Sequence, residues 1–225
     1  MNSMAHVTGQ VLSGGAPVER ATVTLWAATA GAPVQLGRAA TGADGGFTIN
    51  SAAASTKDAS LYLVAEGGRS SADKTDGDND RMALMTVLGS EPPSSVVINE
   101  LTTIASVWTH AQFVDGAAIQ GHALGLRIAA GNVPNLVDLT TGGLGPVIQD
   151  PLNSSQTTTL ATFNTLGNLL AGCTTRVHGD ACDKLFAAAT PAGGTAPTDT
   201  LTAAQNIACN PAHQAEMLFA LLDEF

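Results

Sequence analysis

The sequence predicts an α+β protein in which an antiparallel β-sandwich comes first and an all-α helical bundle follows. Three observations predict this. Short alternating apolar runs separated by Gly and Pro turns fill residues 1–67, and apolar residues at helical spacing fill residues 96–225. Between them, the β-branched run at 96–98 passes through Asn99, a good N-cap, into the helical pattern. We therefore predict a sandwich over 1–67, an acidic connecting segment over 68–95 and a helical domain over 96–225.

At 225 residues the chain is long enough for two domains, each with its own core. The pattern of residues 1–67 predicts five or more short strands, and their number and spacing are typical of an antiparallel sandwich. The clearest of them are residues 7–12, 21–26, 34–36, 47–49 and 61–65.

A second pattern in these strands combines alternating core residues with a turn before a buried aromatic residue. Its elements are Gly9-x-Val11, Gly15-x-Pro17-Val18, Ala21-x-Val23-x-Leu25, Thr41-x-x-Asp44-Gly45-x-Phe47-x-Ile49 and Leu61-x-Leu63-x-Ala65. Over about residues 5 to 67 this resembles the carboxypeptidase regulatory-like domain, a prealbumin-type sandwich. The resemblance implies a non-catalytic accessory or spacer role.

The connecting segment contains three aspartates at alternate positions, followed by a short patch, Met82–Leu88, that we predict to be helical. The aspartates are Asp76, Asp78 and Asp80. Carboxylates at this spacing can converge on Ca²⁺, but an EF-hand loop would need Gly in place of Arg81 and Glu in place of Val87. We favour a solvated acidic loop and keep a calcium site as the alternative. We expect no other cofactor.

Helical spacing predicts seven elements after the strand-to-helix transition at residue 99. They are a helix to about residue 114, helical stretches at 117–130 and 132–139, a clear helix with Leu160, Phe163, Leu166 and Leu170 on one face, a helix from Asp180 to Ala189, a helix from Thr198 or Asp199 through Ile207, and a last helix starting at Asn210-Pro211 with Leu218, Phe219 and Leu222 inward. Residues 140–153 read as a Gly/Pro loop.

Two of the three cysteines bracket a short polar loop between helical patterns. A disulfide could close the ring from Cys173 to Cys182, and the loop-entropy model gives it about 2.5 kcal/mol. We favour this disulfide over two free buried thiols. Cys209 is then left over, and we expect it to be buried on a short helix.

The helical part carries a further set of residues that points to a family. The set comprises Ile98–Trp108 with Ala111 and Phe113, Asn135–Asp138, Cys173…Cys182-x-x-Leu185-Phe186 through Pro191, and Asn206-Ile-Ala208-x-Asn210-Pro211. Over nearly the whole chain the sequence resembles the N-terminal region of exported bacterial proteins that end in an NHL or virginiamycin-B-lyase-like β-propeller. The 225 residues themselves include no propeller, so the resemblance implies no propeller site among them. Cys209 stands where the resemblance implies a polar residue.

Charge and hydropathy exclude several partners. The net charge of −10, with only nine Lys and Arg, disfavours nucleic acid and anionic membranes. No apolar run approaches the ~20 residues needed to cross a bilayer. The first residues lack the charged and apolar regions of a signal peptide, so we expect either an intracellular protein or one whose export signal has been removed. The cysteines favour the second, and thus a secreted or cell-envelope location.

The sequence contains no nucleophile elbow, zinc-protease motif, phosphate loop or dinucleotide fingerprint. One weak catalytic arrangement remains in the helical half. Ser106 and His110 are four residues apart on one predicted helix, with Asp115 or Asp138 as the residue that orients the ring, and His122 is a second candidate base. We favour simpler roles, with Ser106 as a small packing residue and both histidines at the surface or capped.

Two functions from different classes follow. We favour a non-catalytic extracellular spacer or binding module of a secreted bacterial protein, with an extracellular polymer or a cell-envelope component as partner. The alternative is a small secreted, esterase-like hydrolase with a Ser/His site in the helical half. The sequence alone establishes neither a ligand nor a reaction.

Overall fold

The computed structural model describes residues 5–51, 59–75 and 77–225. Within these ranges the chain combines largely antiparallel β-sheets with α-helices, which confirms the predicted mixture of sheet and helix. Strands dominate the chain before residue 99 and helices dominate it afterwards.

Nine described strands precede the first helix. They are β1 (Ala5–Ser13), β2 (Ala16–Glu19), β3 (Thr22–Ala28), β4 (Val34–Ala40), β5 (Gly46–Ser51), β6 (Ser60–Glu66), β7 (Arg69–Ser70), β8 (Ala83–Gly89) and β9 (Ser95–Ile98). One sheet has the order β5-β1-β2-β7, with β9 paired in parallel to β1, and the other has the order β4-β3-β6-β8. The remaining ladders between these strands are antiparallel.

The two sheets share a buried apolar cluster. Val7 and Val11 of β1 lie in it together with Val23 and Leu25 of β3, and all four side chains are buried. Residues two apart on a strand point to the same side, so the alternation in the sequence places these side chains on one face of each sheet. The apolar pattern of the first strands is thus used to bury one side of each sheet.

Strands β6 and β8 are buried on both faces. The face turned away from the other sheet carries Tyr62, Val64, Met85 and Val87. These side chains belong to a second buried cluster, which is formed with the helices. The predicted helical patch at Met82–Leu88 is therefore wrong, because this stretch forms β8. A strand covered on both sides is apolar throughout, so it shows no alternation to distinguish it from a buried helix.

The rest of the chain consists of helices and one small hairpin. The elements are α1 (Glu100–His110), β10 (Val114–Asp115), β11 (Ala118–Ile119), α2 (Ala123–Leu136), α3 (Pro146–Gln149), α4 (Pro151–Ser154), α5 (Thr159–Thr174), α6 (Ala181–Ala188), α7 (Thr200–Cys209), α8 (Ala215–Ala220) and a 3₁₀ turn (Leu221–Asp223). The helical stretches predicted at 117–130 and 132–139 are instead a hairpin strand followed by the single helix α2, and the predicted loop at 140–153 contains α3 and α4. No helix of the described chain is both long and apolar enough to cross a membrane.

Helix α1 begins where the sequence predicts. Asn99 is its N-cap, and its side chain accepts a hydrogen bond from Thr102 N at 2.9 Å. The Thr102 hydroxyl accepts one from Asn99 N at 2.9 Å, which completes a capping box. Asp199 and Thr202 form the same arrangement at the start of α7, as predicted for Asp199. Both helix starts are therefore encoded locally.

Four buried hydroxyl side chains, which we call the hydroxyl cover, lie along the outer edge of β8. They are Thr102, Thr103 and Ser106 of α1 and Thr200 of α7. Ser106 Oγ accepts from Val87 N at 2.9 Å, and Thr103 Oγ1 accepts from Met85 N at 3.0 Å. Thr200 Oγ1 accepts from Ala83 N at 3.0 Å and donates to its carbonyl at 2.6 Å. Side chains thus take the place of a further strand.

The predicted disulfide between Cys173 and Cys182 is present and joins the end of α5 to the start of α6. Cys209 is a free thiol, but it is exposed rather than buried. The reason is its position as the last residue of α7, beside the exposed Asn210.

Candidate functional site

The candidate nucleophile and base do not form a catalytic pair. Ser106 and His110 are both fully buried on α1. The Ser106 hydroxyl is engaged with Val87 N, whereas Nδ1 of His110 lies 3.1 Å from the backbone carbonyl oxygen of Ser106 and 2.8 Å from Thr109 Oγ1. The imidazole therefore meets the main chain of Ser106 rather than its hydroxyl, and neither group has access to a substrate.

The prediction that His110 is at the surface or capped is wrong, because its ring is buried within the fold. Its ring packs edge-on against Phe113, with centroids 6.4 Å apart. Burial lowers the pKa of His110 to about 4, so the ring is neutral at neutral pH. Nε2 has no hydrogen-bond partner among the residues described. A neutral, enclosed imidazole of this kind serves packing and makes the helix sensitive to acid.

The other candidate residues are held in separate local structures. His122 is exposed at the N-cap of α2, where Nδ1 accepts from Leu124 N at 3.4 Å. Asp138 is exposed, and its carboxylate accepts from Thr140 N at 2.8 Å, which stabilises a turn. Asp115 is exposed in β10. Each of the three has a local structural position rather than a place beside Ser106 or His110.

The described residues of the acidic segment do not assemble a metal site. Asp76 lies outside the described residues. Asp78 forms an ion pair with Arg20 at 2.7 Å, and Asp80 is exposed. Within 5–51, 59–75 and 77–225, no group of three or more His, Cys, Asp or Glu side chains is arranged to hold a metal ion.

A buried ion pair in the same segment was not anticipated from the sequence. The Asp73 side chain is completely buried and pairs with Arg176, whose side chain is 18% exposed. Arg176 also donates to the carbonyl oxygen of Gly77 at 2.6 Å. The segment after β7 is thereby fastened to the loop that follows α5.

Glu100, the first residue of α1, is a buried acid in a hydrogen-bonded network. Its Oε1 accepts from Gly14 N at 3.0 Å and from the Thr174 hydroxyl at 2.7 Å, and Ser13 Oγ donates to the same hydroxyl at 2.8 Å. Burial raises the pKa of Glu100. The network connects the β1–β2 turn, α1 and α5, so we assign it to structure.

A cavity of about 550 Å³, open to solvent, lies between four helices. We call it the apolar groove. Its walls are Trp108 of α1 and Ala111 directly after it, Thr158, Ala161, Thr162, Thr165, Leu166 and Leu169 at the start and along α5, Ile207 and Ala208 of α7, Pro211, and Ala215, Leu218 and Phe219 of α8.

Small residues keep this groove open. The Trp108 ring is fixed edge-on against Phe163, with centroids 5.7 Å apart, and forms a rigid part of the wall. Where the neighbouring helices face the opening, they present Ala161 and Ala208, whose methyl groups do not reach across. A concave, mostly apolar space of this size at the surface is typical of small-molecule sites.

The rim of the groove carries an exposed aromatic side chain. Phe219 was predicted to face inward with Leu218, yet it is 66% exposed while Leu218 is buried. The last helix begins at Ala215 rather than at 210–211, because the preceding turn ends with Gln214 in a left-handed conformation (φ 52°). The buried side of this segment carries Leu218 and Leu221, whereas Phe219 lines the groove.

The lining of the groove carries no charged side chain. Its polar groups are threonine hydroxyls on one wall. A volume of about 550 Å³ lies within the range of about 300–1,000 Å³ typical of small-molecule sites, which are mostly apolar with a few polar groups. The arrangement is suited to binding and contains no nucleophile and base in contact.

Comparisons with known proteins assign no family. No family model matches the sequence, and no curated protein matches it. A partial structural similarity exists to the crystal structure of a 9R-lipoxygenase from Cyanothece PCC8801, at 17% identity and a TM-score of 0.27. It covers 42% of this chain and 15% of that chain. At such a TM-score the similarity carries no argument about fold or function.

Proposed function

We propose that the protein is a non-catalytic extracellular binding module of a secreted bacterial protein, and that the apolar groove is its ligand site. The observation that carries the proposal is an uncharged cavity of about 550 Å³ between α1, α5, α7 and α8. Ser106 and His110, the candidates for an esterase, are enclosed and engaged elsewhere. Binding is therefore the better-supported class.

The proposal includes the resemblance of the first part of the sequence to the carboxypeptidase regulatory-like domain. We propose that the strands form a carboxypeptidase regulatory-like sandwich on which the helical bundle is mounted. The apolar cluster shared by the two sheets supports this arrangement. The disulfide between Cys173 and Cys182 is compatible with an oxidising compartment outside the cytosol.

Of the two partner classes expected from the sequence, the groove favours a small envelope component over a polymer. A long polymer needs an extended cleft, whereas this space of about 550 Å³ is bounded by α1, α5, α7 and α8. The bound species is accordingly an uncharged, mostly apolar small molecule. The sheets then act as the spacer and the helices as the receptor.

A fluorescence titration with 1,6-diphenylhexatriene tests the proposal, because this hydrocarbon fluoresces strongly only in apolar surroundings. We expect saturable binding by the wild type. Ala161→Phe places a ring in the groove and should weaken binding at least tenfold. Ala123→Phe, at the exposed start of α2, is the matched control and should bind as the wild type does. Unsaturable fluorescence, or equal binding by Ala161→Phe, would overturn the proposal.

A further inference from the structure

We infer that the ligand of the apolar groove is an uncharged amphiphile whose hydroxyl or carbonyl group hydrogen-bonds to threonines of α5. The inference rests on the proposed function and narrows the chemical class of the ligand. The threonines, which we call the threonine stripe, are Thr158, Thr162 and Thr165.

The stripe forms one continuous polar line on an otherwise apolar site. Its members are spaced at i, i+4 and i+7, which places them on one side of a helix over about 10 Å. All three line the groove, and Thr165 is half-buried while the other two are exposed. A ligand lying along α5 therefore meets hydroxyl groups in a row.

These hydroxyls are available to a ligand. Thr109 and Thr175 donate to the carbonyl oxygens of Ala105 and Ala171, four residues earlier, as helical threonines often do. By contrast, the side chains of the threonine stripe make no hydrogen bond to another described residue. Each keeps its donor and its acceptor capacity, so each can bind either a hydroxyl or a carbonyl.

Charge excludes the ionised alternatives. No Lys, Arg, Asp or Glu side chain lines the groove, and the protein carries a net charge of −10. A carboxylate or phosphate brought into the groove would lose water without gaining a cation and would also be repelled by the protein. An ammonium group would find no carboxylate in the lining. A neutral head group avoids each of these costs.

The opposite wall supplies the apolar half of the site. It consists of Ile207 of α7 with Leu218 and Phe219 of α8, and Trp108 closes one side. Leu166 and Leu169 lie on the same helix as the threonines, so the hydroxyls form a polar line within an otherwise hydrocarbon lining. The groove can therefore orient a molecule that has one polar and one apolar edge. A pure hydrocarbon binds without that orientation.

Displacement of bound diphenylhexatriene by two ten-carbon compounds, 1-decanol and decanoate at pH 8, tests the inference. We expect 1-decanol to displace the probe at a concentration at least tenfold lower than decanoate. Thr165→Val should weaken 1-decanol about fivefold, the worth of one hydrogen bond, and should not weaken binding of the hydrocarbon probe, whose affinity is measured separately for this variant. Thr165→Ser should restore 1-decanol binding. Thr48→Val, on an exposed position of β5, is the control.

The outcomes separate the two proposals. If decanoate competes as well as 1-decanol, or if Thr165→Val binds 1-decanol normally, the neutral-amphiphile inference is overturned while the groove stays a binding site. If the wild type does not bind the hydrocarbon probe at all, both proposals are overturned.

Discussion

Replacement of Ser106 by alanine should destabilise the protein through strand β8. The Ser106 hydroxyl is the acceptor for Val87 N at 2.9 Å, and both residues are buried. Alanine leaves the helix face filled but removes that acceptor. The amide of Val87 then stays buried at the edge of the sheet without a partner.

The expected cost follows from the partner that is left behind. A buried donor deprived of its acceptor costs about 1–3 kcal/mol. Ser to Ala also improves helix propensity by a few tenths of a kcal/mol, which offsets a small part of this. We therefore expect the free energy of unfolding of Ser106→Ala to fall by about 1–2 kcal/mol.

Urea unfolding followed by circular dichroism measures the change, and hydrogen exchange locates it. The Val87 amide should exchange faster in Ser106→Ala than in the wild type at equal global stability. Ser155→Ala is the matched control, because its hydroxyl also makes one hydrogen bond, to the Pro151 carbonyl at 2.7 Å, but in an exposed position. We expect this control to change the unfolding free energy by less than about 0.5 kcal/mol.

The reasoning would be refuted if Ser106→Ala unfolded at the wild-type urea concentration and left the exchange of Val87 unchanged. That result would mean that water or a shifted backbone replaces the hydroxyl. A loss of stability without faster exchange of the Val87 amide would contradict the assignment of Val87 N as the hydrogen-bond partner of Ser106.

Three further predictions concern buried polar groups and the disulfide. The pKa of His110 is about 4 in the folded protein and about 6.5 in the unfolded chain, so acid favours unfolding. The free energy of unfolding of the wild type should therefore be highest above pH 6.5 and fall by about 3 kcal/mol as the pH is lowered to about 4. His110→Leu should lack this loss when urea unfolding is measured across pH. Arg176→Met should cost about 3–5 kcal/mol by leaving the buried Asp73 unpaired, as read from thermal unfolding. Reduction of the Cys173–Cys182 disulfide should lower the unfolding free energy by about 2.5 kcal/mol, measured with and without reductant.

Each of these has a control in the same chain. His122→Leu, at an exposed ring, should keep the acid-dependent loss of the wild type. Arg38→Met, at an exposed position of β4, should be nearly neutral. Cys209→Ser should respond to reductant as the wild type does, since Cys209 is a free thiol. An equal effect in variant and control would contradict the corresponding prediction.

Helix starts and short strands could be predicted because their signals are local. Asn99 and Asp199 each stand three residues before a threonine that completes a capping box. The strand residues that alternate between apolar and polar, such as those of β5, have one buried face, so their period is visible in the sequence. Such features depend only on neighbours along the chain.

Strand β8 could not be predicted because its character comes from tertiary structure. Met82, Leu84, Met85 and Leu88 are good helix formers. Leu84, Met85 and Leu88 lie in β8 because the other sheet on one side and the helices on the other supply apolar cover for both faces. Burial on two sides removed the period that would have identified the strand.

The apolar groove could not be predicted, and the Ser106/His110 pair was wrongly predicted, for a related reason. Ser106 and His110 were predicted as a pair from their spacing on one helix. Spacing does not show which group each side chain hydrogen-bonds, and the Ser106 hydroxyl accepts from Val87 N of β8. The apolar groove depends on four helices separated by up to 111 residues, from Trp108 to Phe219. Its only signal in the sequence is alanine at Ala111, Ala161, Ala208 and Ala215, and alanine is also the commonest sign of ordinary helix packing.

The hydroxyl cover of β8 also sets how the chain can be divided. Its members lie after residue 99, so a fragment containing only the strands would present the main-chain donors and acceptors of β8 without their caps. A bare edge of that kind is a template for another copy of the same strand. The strand region expressed alone should consequently polymerise through this edge. In the full chain, side chains of the helices occupy the edge and prevent such pairing.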